Sequence, residues 1–131
     1  MINHLEISVD GACSGNPGRA GIGVVIRQDG EIIKEISRPI GEATNNIAEY
    51  SALICALQEA VVLKAASVKI FTDSELVYKQ VLGEYKVKDE TLKGLWSQVI
   101  QLKEAFDQFE LTHVLRAKNK EADKLATSSL K

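Results

Sequence analysis

The chain opens on alternation. Leu5, Ile7 and Val9 are apolar against His4, Glu6 and Ser8, the two-residue period of a strand with one buried face. The strand is expected to end on Asp10, because three glycines and a proline crowd the following residues, Gly11 to Gly18. That composition predicts an open, tightly turning loop. Alternation returns at Ile22, Val24 and Ile26, breaks at the hairpin dipeptide Asp29-Gly30, and resumes from Glu31 to Ser37 with Ile32, Ile33 and Ile36. The first third of the chain therefore reads as an antiparallel meander.

The period then changes. Behind a helix-start cluster, Thr44-Asn45-Asn46, apolar residues recur at helical spacing from Ile47: Tyr50, Leu53, Ile54, Leu57, Ala60 and Val61. Ser67 to Thr72 predicts a short strand that delivers Asp73. Ser74 to Leu82 predicts a short helix closed by Gly83, and Glu90 to Phe106 a longer amphipathic one carrying Leu92, Leu95, Trp96, Val99 and Leu102. Phe109 to Leu115 predicts a last strand, and Asn119 is placed to cap a final helix with Ala122, Leu125 and Ala126. The order βββαβααβα predicts an α/β fold, a five-stranded mixed sheet with helices on both faces, in one domain spanning residues 1–131. Strands reached by crossovers are expected to run parallel to the first.

Composition narrows this little. With 131 residues, 45% hydrophobic and 26% charged, the chain is long enough for a real core and ordinary for a globular domain. No apolar run reaches membrane-spanning length and no signal segment opens the chain, so no membrane partner is expected. Cys13 and Cys55 lack metal-ligand spacing. Cys55 lies in an apolar helical run and reads as a small buried hydrophobe. A reduced, cytoplasmic setting follows most simply. The net charge of −2 does not announce a nucleic-acid binder, so contact with a polyanion would need local basic patches or bound cations.

The acids change the picture. Asp10 and Asp73 end two strands expected to be parallel neighbours, which would bring both carboxylates to one sheet edge, where open α/β sheets place their sites. Glu49 and Asp123 lie in the first turns of helices that follow crossovers. Each has an ordinary local reading: Asp-Gly turn chemistry for Asp10, capping for Asp73, a capping-box partner of Asn46 for Glu49, dipole complementation for Asp123. Glu49, however, shares its helix face with Ala52, Leu53 and Ala56, and a carboxylate at an apolar rim needs a cation. Clustered carboxylates are what a hard divalent ion such as Mg²⁺ requires.

Four blocks in this order carry a family resemblance: Asp10 to Gly18; Thr44-Asn45-Asn46 with Glu49; Thr72-Asp73-Ser74; and His113-Val114 with Arg116, Asn119, Ala122-Asp123 and Leu125-Ala126. The chain resembles ribonuclease H type 1 from end to end. The resemblance implies a metal-dependent endonuclease of the two-ion phosphodiester-hydrolysing kind, with Asp10, Glu49, Asp73 and Asp123 as catalytic and metal-binding acids and two Mg²⁺ or Mn²⁺ ions as cofactors. It implies that an RNA/DNA hybrid is the partner, that its RNA strand is cut to leave 5′-phosphates, and that Cys13, Ser14, Asn16, Thr44, Asn45 and Asn46 touch it. A monomer is expected.

Three departures from the family accompany the match. The loop before the last helix is Arg116-Ala117-Lys118 and lacks the His that relatives often carry there; Arg116 and Lys118 are the candidates to replace part of its role, and His113, within a strand, reads as structural. The extended basic segment with several tryptophans is reduced to Tyr85-Lys86-Val87-Lys88, with Lys93 beyond. No separate hybrid-binding domain is expected, as in the compact forms of the family. The competing expectation is a catalytically weak or inactive ribonuclease H-like module that only binds nucleic acid; the retention of all four acids argues against it.

Overall fold

In the computed structural model, which describes residues 3–131, the elements follow the expected order. They are β1 (His4–Gly15), β2 (Gly18–Gln28), β3 (Glu31–Ala43), α1 (Asn45–Val62), β4 (Ser67–Thr72), α2 (Glu75–Val81), α3 (Glu90–Lys103), β5 (Gln108–His113) and α4 (Lys120–Ser128), with a 3₁₀ turn at Arg116–Lys118. One sheet runs β3-β2-β1-β4-β5. The β1–β2 and β2–β3 pairs are antiparallel, and β4 and β5 continue the sheet in parallel with β1.

Helices cover both faces, and three glycines show how. A Cβ on Gly11 would strike the backbone of Ala48 and Glu49 in α1, whereas one on Gly21 would meet Ser129 and one on Gly23 the backbone of Ala122 and Ala126 in α4. Gly11 pairs with Ile22, between those two glycines, so α1 and α4 lie on opposite faces of the same ladder. The main core forms under α1 from Leu5, Ile7, Val9, Ile22, Val24, Ile26, Leu53, Leu57, Val68 and Ile70, with Cys55 among them. Each fully buried aliphatic side chain of this kind contributes about 1.5–3 kcal/mol. The helix α3 packs on α1 rather than on the sheet.

The expected boundaries shift in four places. The first strand does not end at Asp10, and Gly11 to Gly15 is not an open loop. It continues the ladder with β2 as far as Gly15↔Gly18, leaving only Asn16 and Pro17 between the strands. Glycine tolerates extended backbone as readily as a turn, and the paired strand decides between them. The third strand runs past Ser37 to Ala43 through register shifts at Ala20/Gly21 and Ile26/Arg27. It is an edge strand, where Pro39 costs no ladder bond that a central strand would need. The third helix stops at Lys103, before Phe106, and the fifth strand at His113, although the Val114 amide still reaches the Thr72 carbonyl.

Candidate metal and nucleic-acid site

The parallel pairing of β1 with β4 closes at Val9↔Thr72. The next residue on each side is an acid, so Asp10 and Asp73 leave the sheet side by side. Asp73 is not a helix cap: Ser74 caps α2 through its hydroxyl, which accepts from the Val77 amide. Glu49 is not a capping-box partner either. Thr44 caps α1, its Oγ1 accepting from Ile47, and Glu49 is the fifth helical residue rather than one of the first turn. Its Oε1 accepts instead from the Gly11 amide at 2.5 Å. Gly11 serves twice, by letting α1 approach the sheet and by donating to Glu49. That role is invisible in sequence; its only trace is a glycine immediately after an acid on a strand.

Asp10, Glu49 and Asp73 can each offer a carboxylate oxygen within 4.8 Å of the others. Asp123, in the first turn of α4, lines the same cleft and acts on Asp10 without joining that group of three, its Oδ1 lying 3.7 Å from the Arg116 guanidinium. Among the described residues no Lys or Arg pairs with Asp10, Glu49 or Asp73. The charge is therefore unneutralised. Burial, then the charges of Glu49 and Asp73, push the Asp10 carboxyl from 3.8 up to about 10. Burial also raises Glu49, to about 7, against the opposing effect of its hydrogen bonds with Asp10 and Gly11. Oxygen donors this close, with protons in place of a cation, suit a hard divalent ion.

The cleft has a volume of about 530 Å³. Besides the four acids it is lined by Cys13, Asn45 and Arg116, while Thr127 and Leu130, which sequence reasoning missed, close one rim. Cys13 donates its thiol to the Ala43 carbonyl at 2.9 Å, and Asn16 accepts the Asn45 amide at 3.1 Å, so the β1–β2 hairpin is tied to the start of α1. Asn16, Thr44 and Asn46 line a second cleft of about 480 Å³, shared with Asp89 and Thr91 at the start of α3. Ser14 and Lys118 are exposed and line neither. His113 packs its ring on Tyr78 at 5.7 Å, away from the acids. Contrary to the capping its position suggests, the Asn119 side chain makes no bond to the helix's own amides.

The sequence matches the reverse transcriptase-like family over residues 8–129. The crystal structure of RNase H1 from the halophilic archaeon Halobacterium salinarum superposes with a TM-score of 0.95 at 40% identity, covering 98% of each chain. The chain belongs to the ribonuclease H family. Ribonuclease HI of Halobacterium salinarum is 43% identical over 122 residues, which is 92% of this chain, so the chain spans 61% of the length of that relative. The structure of LC11-RNase H1 in complex with an RNA/DNA hybrid matches with a TM-score of 0.90 and 40% identity over 95% of each chain. Among the described residues no helix is long and apolar enough to cross a membrane.

Proposed function

We propose that this ribonuclease H family member is a metal-dependent endonuclease that hydrolyses the RNA strand of RNA/DNA hybrids and leaves 5′-phosphates. The observation that carries the reading is the group of three carboxylates within 4.8 Å of one another and without a cationic partner. A module that only bound nucleic acid would gain nothing from such a charge cluster beside a polyanion. The hybrid seen with LC11-RNase H1 supports the substrate class.

Asp10, Glu49 and Asp73, with Asp123 in the same cleft, would hold two Mg²⁺ or Mn²⁺ ions. When bound, such ions supply water activation and neutralise charge at the scissile phosphate. The protein's own residues do the rest. Gly11 holds Glu49 in place through its amide. Cys13 and Asn45 at the rim, with Ser14 beside them and Asn16, Thr44 and Asn46 in the second cleft, would meet the sugar edges and phosphates, where the 2′-hydroxyl separates RNA from DNA. Arg116, in the cleft, would offset phosphate charge, and Lys118 would add a peripheral phosphate contact. A cytoplasmic monomer needing no further subunit completes the reading.

The test is cleavage of a labelled RNA/DNA hybrid by the purified protein in Mg²⁺ and in Mn²⁺, beside single-stranded RNA and duplex DNA. Cutting confined to the RNA of the hybrid is expected. Tight hybrid binding with no cutting in either ion would overturn it.

A further inference from the structure

Asn119 precedes α4 and is 3% exposed. Its Nδ2 donates to the Val9 carbonyl at 2.8 Å, and its Oδ1 finds no donor among the described residues. Turning the amide over would set two acceptors, Oδ1 and the Val9 carbonyl, face to face, so the orientation is forced. An unpaired buried acceptor is destabilising. An apolar side chain would remove that acceptor but would also take the Nδ2 donor from the Val9 carbonyl, so the two effects offset and net stability alone does not account for the residue.

The location of the bond does. Val9 immediately precedes Asp10. On the other side, the Asn119 carbonyl accepts the Asp123 amide at 3.1 Å. One residue thus joins the backbone that carries Asp10 to the backbone that carries Asp123. Among the described residues the other polar ties of this segment are Ser37 on the Leu125 carbonyl, Arg19 on that of Leu130 and an exposed Arg27–Glu121 pair, all away from the cleft, and the long, solvated Arg116–Asp123 pair within it. We propose that Asn119 is a positioning residue that fixes Asp123 against Asp10 in the cleft. Groups that orient metal ligands from behind commonly act this way.

The inference rests on the reading of the four acids as a divalent-ion site, and its test keeps the two apart by reading ion binding rather than cleavage. Mn²⁺ binding is measured calorimetrically for wild type, Asn119→Leu, Asp123→Asn and the double variant, with a thermal melt of each. Asn119→Leu is expected to fold and to melt close to wild type, the lost bond to Val9 offset by removal of the unpaired Oδ1, and to bind Mn²⁺ roughly tenfold more weakly. Asp123→Asn is expected to lose affinity as well, and the double variant to bind no more weakly than Asp123→Asn alone. Wild-type affinity in either single variant, or losses that simply add in the double, would overturn the proposal. If Asn119→Leu does not fold, Asn119→Ser, too short to reach Val9, carries the same comparison. Wild type that binds Mn²⁺ without cutting hybrid removes the ribonuclease reading and leaves this result decisive. Wild type that binds no ion removes both.

Discussion

Glu49 accepts the amide of Gly11 at 2.5 Å, joining the second turn of α1 to the middle of β1 beside Asp10. The contact exists only because position 11 has no side chain. A Cβ there would lie 2.6 Å from the Glu49 nitrogen and 2.7 Å from the Ala48 Cβ, and also against the Ala48 carbonyl carbon. Backbone cannot yield as a flexible side chain does, so α1 must shift. Gly11→Ala is expected to cost about 1–3 kcal/mol of stability, as overpacking does. Because the shift moves Glu49, cleavage is expected to fall with it. A melt and a hybrid assay check this; an alanine variant matching wild type in both would show that α1 is free to move.

Asp10→Asn and Asp73→Asn are expected to abolish cleavage while leaving the circular dichroism spectrum intact. Loss of a group that merely orients a metal ligand costs roughly 10–100-fold, so loss of a ligand is expected to cost at least the upper end of that range. The same substitutions relieve repulsion among unpartnered acids, and in EDTA both variants are expected to melt above wild type. Near wild-type turnover in either variant would remove it from the site.

The raised carboxyls also set a pH dependence. In the unfolded chain Asp10 and Glu49 ionise near 3.8 and 4.5; in the native protein they hold protons up to about 10 and about 7. Below the unfolded values both are neutral in either state, and their contribution to stability is complete. Above them the native state binds more protons than the unfolded state, so stability declines as pH rises through the native values. In EDTA the melting temperature is expected to fall from about pH 5 to about pH 9 on their account, with a shallower slope in Asp10→Asn. Added Mg²⁺ binds the ionised acids and is expected to raise the melting temperature most at the alkaline end. Parallel slopes for wild type and Asp10→Asn would contradict the assignment.

Much of this was legible before any coordinates. The period of two in Leu5, Ile7, Val9 and again in Ile22, Val24, Ile26, against the helical period through Tyr50, Leu53, Leu57 and Ala60, is enough to order the elements, because these positions are buried; Val61, at the end of the helical pattern, is exposed. Asp10 and Asp73 could be brought together from the parallel crossover alone. What could not be read was carried by residues without informative side chains or by long-range partners. Gly11 to Gly15 has the composition of a loop and becomes strand only because β2 pairs with it. Asn119 has the identity of a cap, yet its partner is Val9, far away in sequence. The resemblance groups Asn16, Thr44 and Asn46 with Cys13 and Asn45, whereas they line a cleft of their own.

Without a long basic segment, hybrid affinity is expected to be modest and steeply dependent on salt. Lys86 and Lys93 line a recess of about 310 Å³ with Tyr85 and Trp96, and Lys88 is exposed nearby. Replacing all three lysines by alanine is expected to raise KM at moderate salt. It is also expected to flatten the plot of log affinity against log salt by about 0.7–0.9 for each phosphate contact removed. An unchanged slope would mean that the hybrid is held elsewhere.

Arg116 and Lys118 flank the loop where relatives often carry a His, and the structure separates them. Arg116 lines the cleft with a side chain 82% exposed, and its pairing with Asp123 at 3.7 Å is long and solvated. Such a pair is weak, so the guanidinium can turn from Asp123 to an incoming phosphate at little cost. It stays protonated at neutral pH and cannot serve as a base, but it can offset negative charge as the phosphate reacts or help the product leave. Lys118 is exposed and outside the cleft. Arg116→Ala is therefore expected to lower kcat about tenfold with KM little changed, the mark of an interaction made in the transition state or at release. Lys118→Ala is expected to raise KM and spare kcat. Because the arginine also competes for Asp123, its removal is not expected to weaken Mg²⁺ binding. Steady-state constants and an ion titration on the two variants check all three statements. A kcat unchanged in Arg116→Ala would reduce this residue to a surface phosphate contact and leave the role of the missing His unfilled.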